Sequence, residues 1–388
     1  MIKAILLDLD NTLIINPDDT FAKAYLGLAE PFFSQYLGIA TSRELLSGIV
    51  QTLSQPRSGE VSNIQHIYNQ FQHYTDAPLA KIQATLELFF QNVYPRLATC
   101  VAPIPFARDC VIALQDDGYA VVIATNPLYM KTAITQRMIW GQLPLENYAL
   151  ITHAENMHFA KPDPAYYAEI VARVGIEPDE ALLIGDNPLN DIQAAQAVGL
   201  NTFHVADTLS REPLFHHLQD PTFLTSFTPP SLAPNMVLHE LRGNIGALNG
   251  LLEGVAHEMW YLRPDPNEWS ILQIMCHLCI SETTTQRARI QNILSQDNPF
   301  IIDTQPPGPS MPMCHDNLFA VTQNFIHERQ ATLSLLGALS EADWQRPARH
   351  SVFGLTTLLE MAHFTAQHDR IHINQLCQTI GRCQEYSF

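Results

Sequence analysis

The residues able to do chemistry fall into an acidic set and an imidazole set. Asp8-Leu-Asp10-Asn-Thr12 follows a short apolar run, and strand alternation points Asp8 and Asp10 to the same side just past its end. Carboxylates so spaced can divide labour, one attacking and the other transferring a proton. Thr125-Asn126 ends a second apolar run and offers a hydroxyl and amide donors to an anion's oxygens. Lys161-Pro-Asp-Pro164 sets an ammonium ahead of a helical pattern from Ala165 to Val174. Gly185-Asp186-Asn-Pro-Leu-Asn-Asp191 leaves a third run, with one acid at the strand tip and another at the start of the next helix. Taken singly, these are commonplace: solvated acids, a polar turn, a surface lysine, a capped helix. The imidazole set is His368-Asp-Arg-Ile-His372, whose i,i+4 spacing brings two rings onto one helix face, together with His277 on another helical pattern. Neutral imidazoles so placed can share one divalent ion, which protons should displace near the ordinary imidazole pKa of about 6.5.

These residues need elements to hold them. Ile2 to Asp8, Ala120 to Ala124 and Ala181 to Gly185 read as buried parallel strands, alternating with helices such as Asp191 to Val198, which Gly199 closes. Residues 16–99 show only helical periodicity, as an inserted helical cap would. Three prolines within Ser226-Phe-Thr-Pro-Pro-Ser-Leu-Ala-Pro234 mark a linker. Beyond it, apolar spacing at three and four recurs over 237–260, 269–295, 316–338 and 354–380, which predicts an all-α four-helix bundle. The expected division is therefore 1–225 as an α/β domain (core 1–15 and 100–225, cap 16–99), 226–236 as linker and 237–388 as bundle.

In their order, strand context and spacing, the four acidic, hydroxyl and lysine motifs resemble those of the haloacid dehalogenase superfamily. The resemblance implies a Rossmann-like α/β core with a helical cap and a phosphatase acting on a small phosphorylated metabolite. It implies Asp8 as nucleophile, forming an aspartyl-phosphate, and Asp10 as general acid/base. Thr125 and Asn126 would bind the phosphoryl group and Lys161 would offset its charge. Mg²⁺ would sit on the Asp8 carboxylate, the Asp10 backbone carbonyl and the Asp186 carboxylate, with Asp191 in support. Having Asp10 also favours a phosphatase over a dehalogenase. Residues 237–388 resemble the DinB-like (YfiT-like) bundles, in which a Trp-Ser start precedes a helix with one His and an H-D-R-x-H helix ends the domain. That resemblance implies His277, His368 and His372 as ligands of a divalent transition metal, Zn²⁺ or Ni²⁺.

Composition sets limits. With 46% hydrophobic residues the chain can bury cores, and its net charge of −18 argues against a nucleic-acid partner. Seven cysteines read as reduced thiols, and the absence of a signal-like or membrane-length apolar run predicts a cytoplasmic protein with no membrane partner. Cys276 and Cys279 lack a second pair at zinc-finger spacing and read as structural, His363 falls about 140° from the His368 face, and His315 and His350 read as loop residues. Two alternatives stay open. The bundle could be the active unit, as a thiol transferase or metal-dependent hydrolase, or it could be a sensing module that forms a homodimer through its apolar faces.

Overall fold

The computed structural model describes residues 1–206, 211–218, 220–302, 314 and 317–385. Two compact units divide the chain, Met1–Ser231 and Leu232–Phe388.

The first unit begins with β1 (Ala4–Leu7) and a short β2 (Ile14–Ile15), then turns into four helices: α1 (Asp18–Leu37), α2 (Ser42–Ser54), α3 (Asn63–Gln72) and α4 (Leu79–Asn92). Their apolar faces meet in a core of their own around Phe33, Phe71 and Phe89. A 3₁₀ turn (Tyr94–Cys100) returns the chain to β3 (Ala102–Pro103), which pairs antiparallel with β2. This two-stranded neck joins the outgoing and returning chain, and the periodicity of 16–99 gave no sign of it. The core then alternates α5 (Ala107–Asp116), β4 (Ala120–Ile123), α6 (Lys131–Trp140), β5 (Leu150–Ile151), α7 (Ala165–Val174) and β6 (Ala181–Gly185). A wide helical turn (Pro188–Gln193) leads into α8 (Ala194–Gln196), followed by β7 (Asn201–His204), α9 (Arg211–Leu218) and α10 (Pro221–Leu224).

Five strands form one parallel sheet in the order β5-β4-β1-β6-β7. Ile5, Leu7, Val121, Ile123, Leu182 and Ile184 enter one core, while Leu6, Val122 and Leu183 enter the core on the opposite face. Burial on both faces is why these strands read as continuous apolar runs. β1 lies between β4 and β6, so the chain reverses its direction of strand addition there. In open α/β sheets the strand ends beside such a reversal are where ligands bind.

The second unit contains α11 (Pro234–Leu252), α12 (Ile271–Ser281) continuing through a wide turn (Glu282–Arg287) into α13 (Ala288–Ser295), β8 (Phe300–Ile301), α14 (Leu318–Gly337), α15 (Glu341–Trp344), β9 (Pro347–His350), β10 (Gly354–Thr357) and α16 (Leu358–Glu385). The helical expectation holds, with α11 packed along α16 and α12 along α14. A three-stranded sheet, β10-β9-β8, is an addition to it. Residues 354–357, expected as the start of the last helix, instead pair antiparallel with 347–350. Gly354 at φ +76° closes the hairpin turn, and the paired threonines Thr356 and Thr357 suit a strand. His350 consequently lies buried on β9 against Phe353 rather than in a loop. His315 lies outside the described residues. Cys276 is disulfide-bonded to Cys314, so the expectation of reduced thiols fails for this pair. A cysteine count too low for a scaffold does not exclude one bridge. Among the described residues no helix is long and apolar enough to cross a membrane.

One glycine is sterically required. A Cβ on Gly185, the last residue of β6, would lie 2.5–2.7 Å from the Asp191 side chain. Gly185→Ala should therefore displace Asp191 and lower stability by about 1–3 kcal/mol, measured by urea unfolding; wild-type stability in that variant would contradict this packing.

Candidate active site and metal centre

The first site is assembled at the ends of β1, β4 and β6. Register pairs Leu7 with both Ile123 and Ile184, so the next residue of each strand emerges at one level. Asp8 donates its backbone N–H to the Ile184 carbonyl, and the Ala124 N–H bonds the Leu7 carbonyl. Asp8 is only 7% exposed, and the neighbouring Thr125 is buried. The Thr125 carbonyl accepts hydrogen bonds from the Thr152 and Tyr166 hydroxyls at 2.7 and 2.8 Å, which fixes the end of β4. Beside it, the Asn126 Oδ1 is buried and has no hydrogen-bond partner.

Lys161 lies between two carboxylates, its Nζ 2.7 Å from Asp8 Oδ1 and 2.5 Å from Asp191 Oδ1. All three side chains are buried. Burial disfavours the ammonium, but Asp191 and Asp8 outweigh it and hold Lys161 well above the ordinary lysine range. Burial pushes the Asp8 carboxyl upward, with Lys161 opposing and Asp191 adding to the rise. Asp191 also accepts from the Tyr167 hydroxyl and the Asn187 N–H at 3.0 Å each. Asp8, Asp186 and Asp191 present carboxylate oxygens within 4.8 Å of one another. That spacing fits a small hard cation, and Mg²⁺ suits the set because it takes one or two carboxylates and keeps several waters.

The Asp10 carboxylate is held apart from this group. It accepts a hydrogen bond from Asn16 Nδ2 at 2.7 Å and forms an ion pair with Arg137. Arg137, on α6, is buried, with its cationic carbon 4.8 Å from the Tyr129 ring centroid. Its Nε and Nη2 are buried without hydrogen-bond partners, as is the Tyr94 hydroxyl. Sequence reasoning missed Arg137 and Asn16, since neither stands in a motif. It also missed Glu169, whose buried carboxylate accepts from the His158 and Phe159 N–H groups and bonds His158 Nδ1. This anchors the loop that carries Lys161. Asn63 of α3 ties the cap to that loop by donating to the Phe159 carbonyl at 2.9 Å.

The second site lies between α12 and α16. His277, His368 and His372 bring ring nitrogens within 4.8 Å of one another. The His277 and His368 Nε2 atoms are 3.1 Å apart. His372 Nδ1 is 2.8 Å from Gln375 Oε1, an acceptor, so Nδ1 carries the proton and Nε2 keeps its lone pair. Trp269 covers the cluster, stacked on His372. Burial, then the neighbouring His372, lowers His277 to about 4, and burial with both neighbours lowers His368 to about 3. His372 is lowered too, chiefly by burial. Three neutral donors facing one point fit a transition ion better than Mg²⁺. His363 lies apart, 3.5 Å from Glu240. Behind the triad, buried Arg329 bonds both Glu282 and Asp369, and Asn244 also donates to Asp369. This network fixes the helix between the two histidine-bearing turns of α16.

The lowered ring pKa values shift the expected competition with protons. Rings that stay neutral below pH 6.5 keep their lone pairs, so Zn²⁺-loaded protein should hold about one ion per chain at about pH 6 and lose it towards about pH 4. Each of His277→Ala, His368→Ala and His372→Ala should abolish that retention in elemental analysis. Metal loss already complete near about pH 6.5, or unchanged stoichiometry in all three variants, would contradict the site.

The haloacid dehalogenase-like hydrolase family matches residues 2–199, and the DinB superfamily matches residues 240–376. A phosphoglycolate phosphatase from Nitrosospira multiformis is 25% identical over 205 residues, covering 53% of this chain and 83% of its own. The pyrophosphatase PpaX from Bacillus pumilus is 30% identical over 113 residues, 29% of this chain and 50% of its own. The solved structure of YfiT from Bacillus subtilis, described as a probable metal-dependent hydrolase with an unusual four-helix bundle topology, covers 40% of this chain and 94% of its own at 17% identity and a TM-score of 0.33. With more than half its length matched, this chain belongs to the haloacid dehalogenase-like hydrolases, and its second half is a DinB-like domain.

Proposed function

We propose that the first unit is a Mg²⁺-dependent phosphatase that hydrolyses a small phosphorylated metabolite through an aspartyl-phosphate on Asp8, and that residues 237–388 bind a transition metal through His277, His368 and His372. The observation that carries the phosphatase reading is the buried Asp8–Lys161–Asp191 arrangement at the central strand ends. A carboxylate nucleophile meets a phosphate dianion only where cations offset the repulsion, and Lys161 is a buried, permanently charged one. The phosphatase names of relatives over the same region agree with it.

In this reading an Asp8 oxygen attacks phosphorus while the bond to the ester oxygen breaks. Asp10 delivers a proton to the departing alkoxide. Water then attacks the same phosphorus, Asp10 takes its proton, and the Asp8 carboxylate and inorganic phosphate are regenerated. Thr125 and Asn126 hold phosphoryl oxygens, the Thr125 hydroxyl and the Asn126 amide N–H groups acting as donors. Mg²⁺ on Asp8, Asp186 and the Asp10 carbonyl would neutralise phosphoryl charge. Arg137 occupies the Asp10 carboxylate in an ion pair, so Asp10 must part from Arg137 to reach the leaving oxygen.

Asp8→Asn should reduce turnover of phosphomonoesters at least about a thousandfold, with the fold retained because the side chain is near-isosteric. Substantial turnover by that variant would sink the role of Asp8. Asp10→Asn should lower kcat/KM, which reports the first step alone, far more for alkyl esters than for nitrophenyl esters, since only poor leaving groups need the proton there. Equal slowing across leaving groups would remove Asp10 as the acid.

A further inference from the structure

The cap contains a cavity of about 470 Å³, within the range of small-molecule sites, and its walls are not those of a site for a polar metabolite. Tyr25 of α1, Ile49 of α2, Phe71 of α3 and Phe90 of α4 line it, and Leu128 and Tyr129 close it from the core. Its polar lining comes from α2, where Arg43, Ser47 and Gln51 are solvent-exposed and Arg43 already faces Glu30 at 3.5 Å. The cavity adjoins the chemistry across one wall. Leu128 and Tyr129 follow Thr125 and Asn126 after a single proline, Pro127, and the Tyr129 ring carries Arg137, which in turn holds Asp10. Tyr129 therefore divides an apolar chamber from the residue that meets the leaving oxygen. Polar atoms without partners gather at this divide: Arg137 Nε and Nη2, and the hydroxyl of Tyr94, whose ring centroid lies 6.3 Å from that of Tyr129.

We propose that this chamber receives an apolar group on the leaving alcohol, so that the substrate is a phosphomonoester of a hydrophobic alcohol; the proposal rests on the phosphatase reading above. An anionic leaving group would be desolvated against Phe71, Ile49 and Phe90 with no partner, at a cost that an alkyl chain does not incur. An alkyl or aryl group would instead remove those walls from water. The ester's polar end would then lie where Arg137 and Tyr94 have N–H and O–H groups to donate.

Linear alkyl phosphates test this, because lengthening the chain beyond ethyl leaves the leaving-group pKa nearly constant and changes only the apolar contact. For the full chain in Mg²⁺, kcat/KM should rise about fourfold per methylene from ethyl to hexyl phosphate, the equivalent of about 0.8 kcal/mol each. Ala22→Phe and Val50→Trp fill the chamber from exposed lining positions, so neither requires the core to repack. Both should flatten the rise while leaving ethyl phosphate turnover within about twofold, because neither residue is in the chemical machinery. A flat wild-type series with ethyl phosphate still turned over would overturn the proposal and spare the phosphatase reading, as would an undiminished slope in both filled variants. No turnover of any phosphomonoester, nitrophenyl phosphate included, would remove the phosphatase reading and the proposal with it.

Discussion

A lysine ammonium enclosed between two carboxylates in the interior of the first unit is the interaction on which its site depends. Lys161, Asp8 and Asp191 are each almost removed from water, where an isolated charge is not tolerated. The two carboxylates hold Lys161 charged, and removing the lysine would leave two acids buried against each other, a loss of about 3–5 kcal/mol for a broken buried pair. The surrounding structure meets the demands of that arrangement. The β1–β6 pairing sets Asp8 level with Gly185, and the missing Cβ of Gly185 admits Asp191. Glu169 pins the loop from which Lys161 reaches in.

The second unit solves the opposite problem. Its site gathers neutral rings whose burial and mutual proximity keep protons off, so its lone pairs stay ready for a cation. Charge is present there too, but one residue deeper, where Arg329 is shared by Glu282 and Asp369. The interleaving of His368, Asp369 and His372 on α16 lets one helix turn ligands to one side and a structural acid to the other. Three protonated rings so placed would be self-repelling, and the same packing leaves them as the neutral donors that a metal would need.

How much of this was legible in the sequence depended on whether a residue was local to a pattern. The three strands announced themselves because burial on both faces makes them continuously apolar, and the polar residues ending them, Asp8, Thr125 and Asp186, therefore stood out. His368 and His372 were visible as a helical pair. Arg137 and Asn16 were not, because each meets Asp10 only through the fold, across 127 and six residues respectively. Glu169 was hidden for a related reason: within a helical pattern an acid reads as a solvated face, and only the return of the 158–159 backbone makes it a buried acceptor. The β8–β10 sheet escaped because Leu355 to Thr357 directly precede a long helix and share its apolar rhythm. The Cys276–Cys314 bridge joins a helix to a chain segment with no pattern of its own.

The account stands on Asp8 becoming covalently phosphorylated, and that can be observed directly. Turnover of a phosphomonoester in Mg²⁺, quenched with borohydride, would reduce an acyl phosphate to a primary alcohol, and peptide mass spectrometry would locate the change. The account predicts the reduced residue at position 8, only in the presence of substrate and Mg²⁺. Reduction at any other carboxylate, or sustained turnover with Asp8 unmodified in every quench, would contradict it.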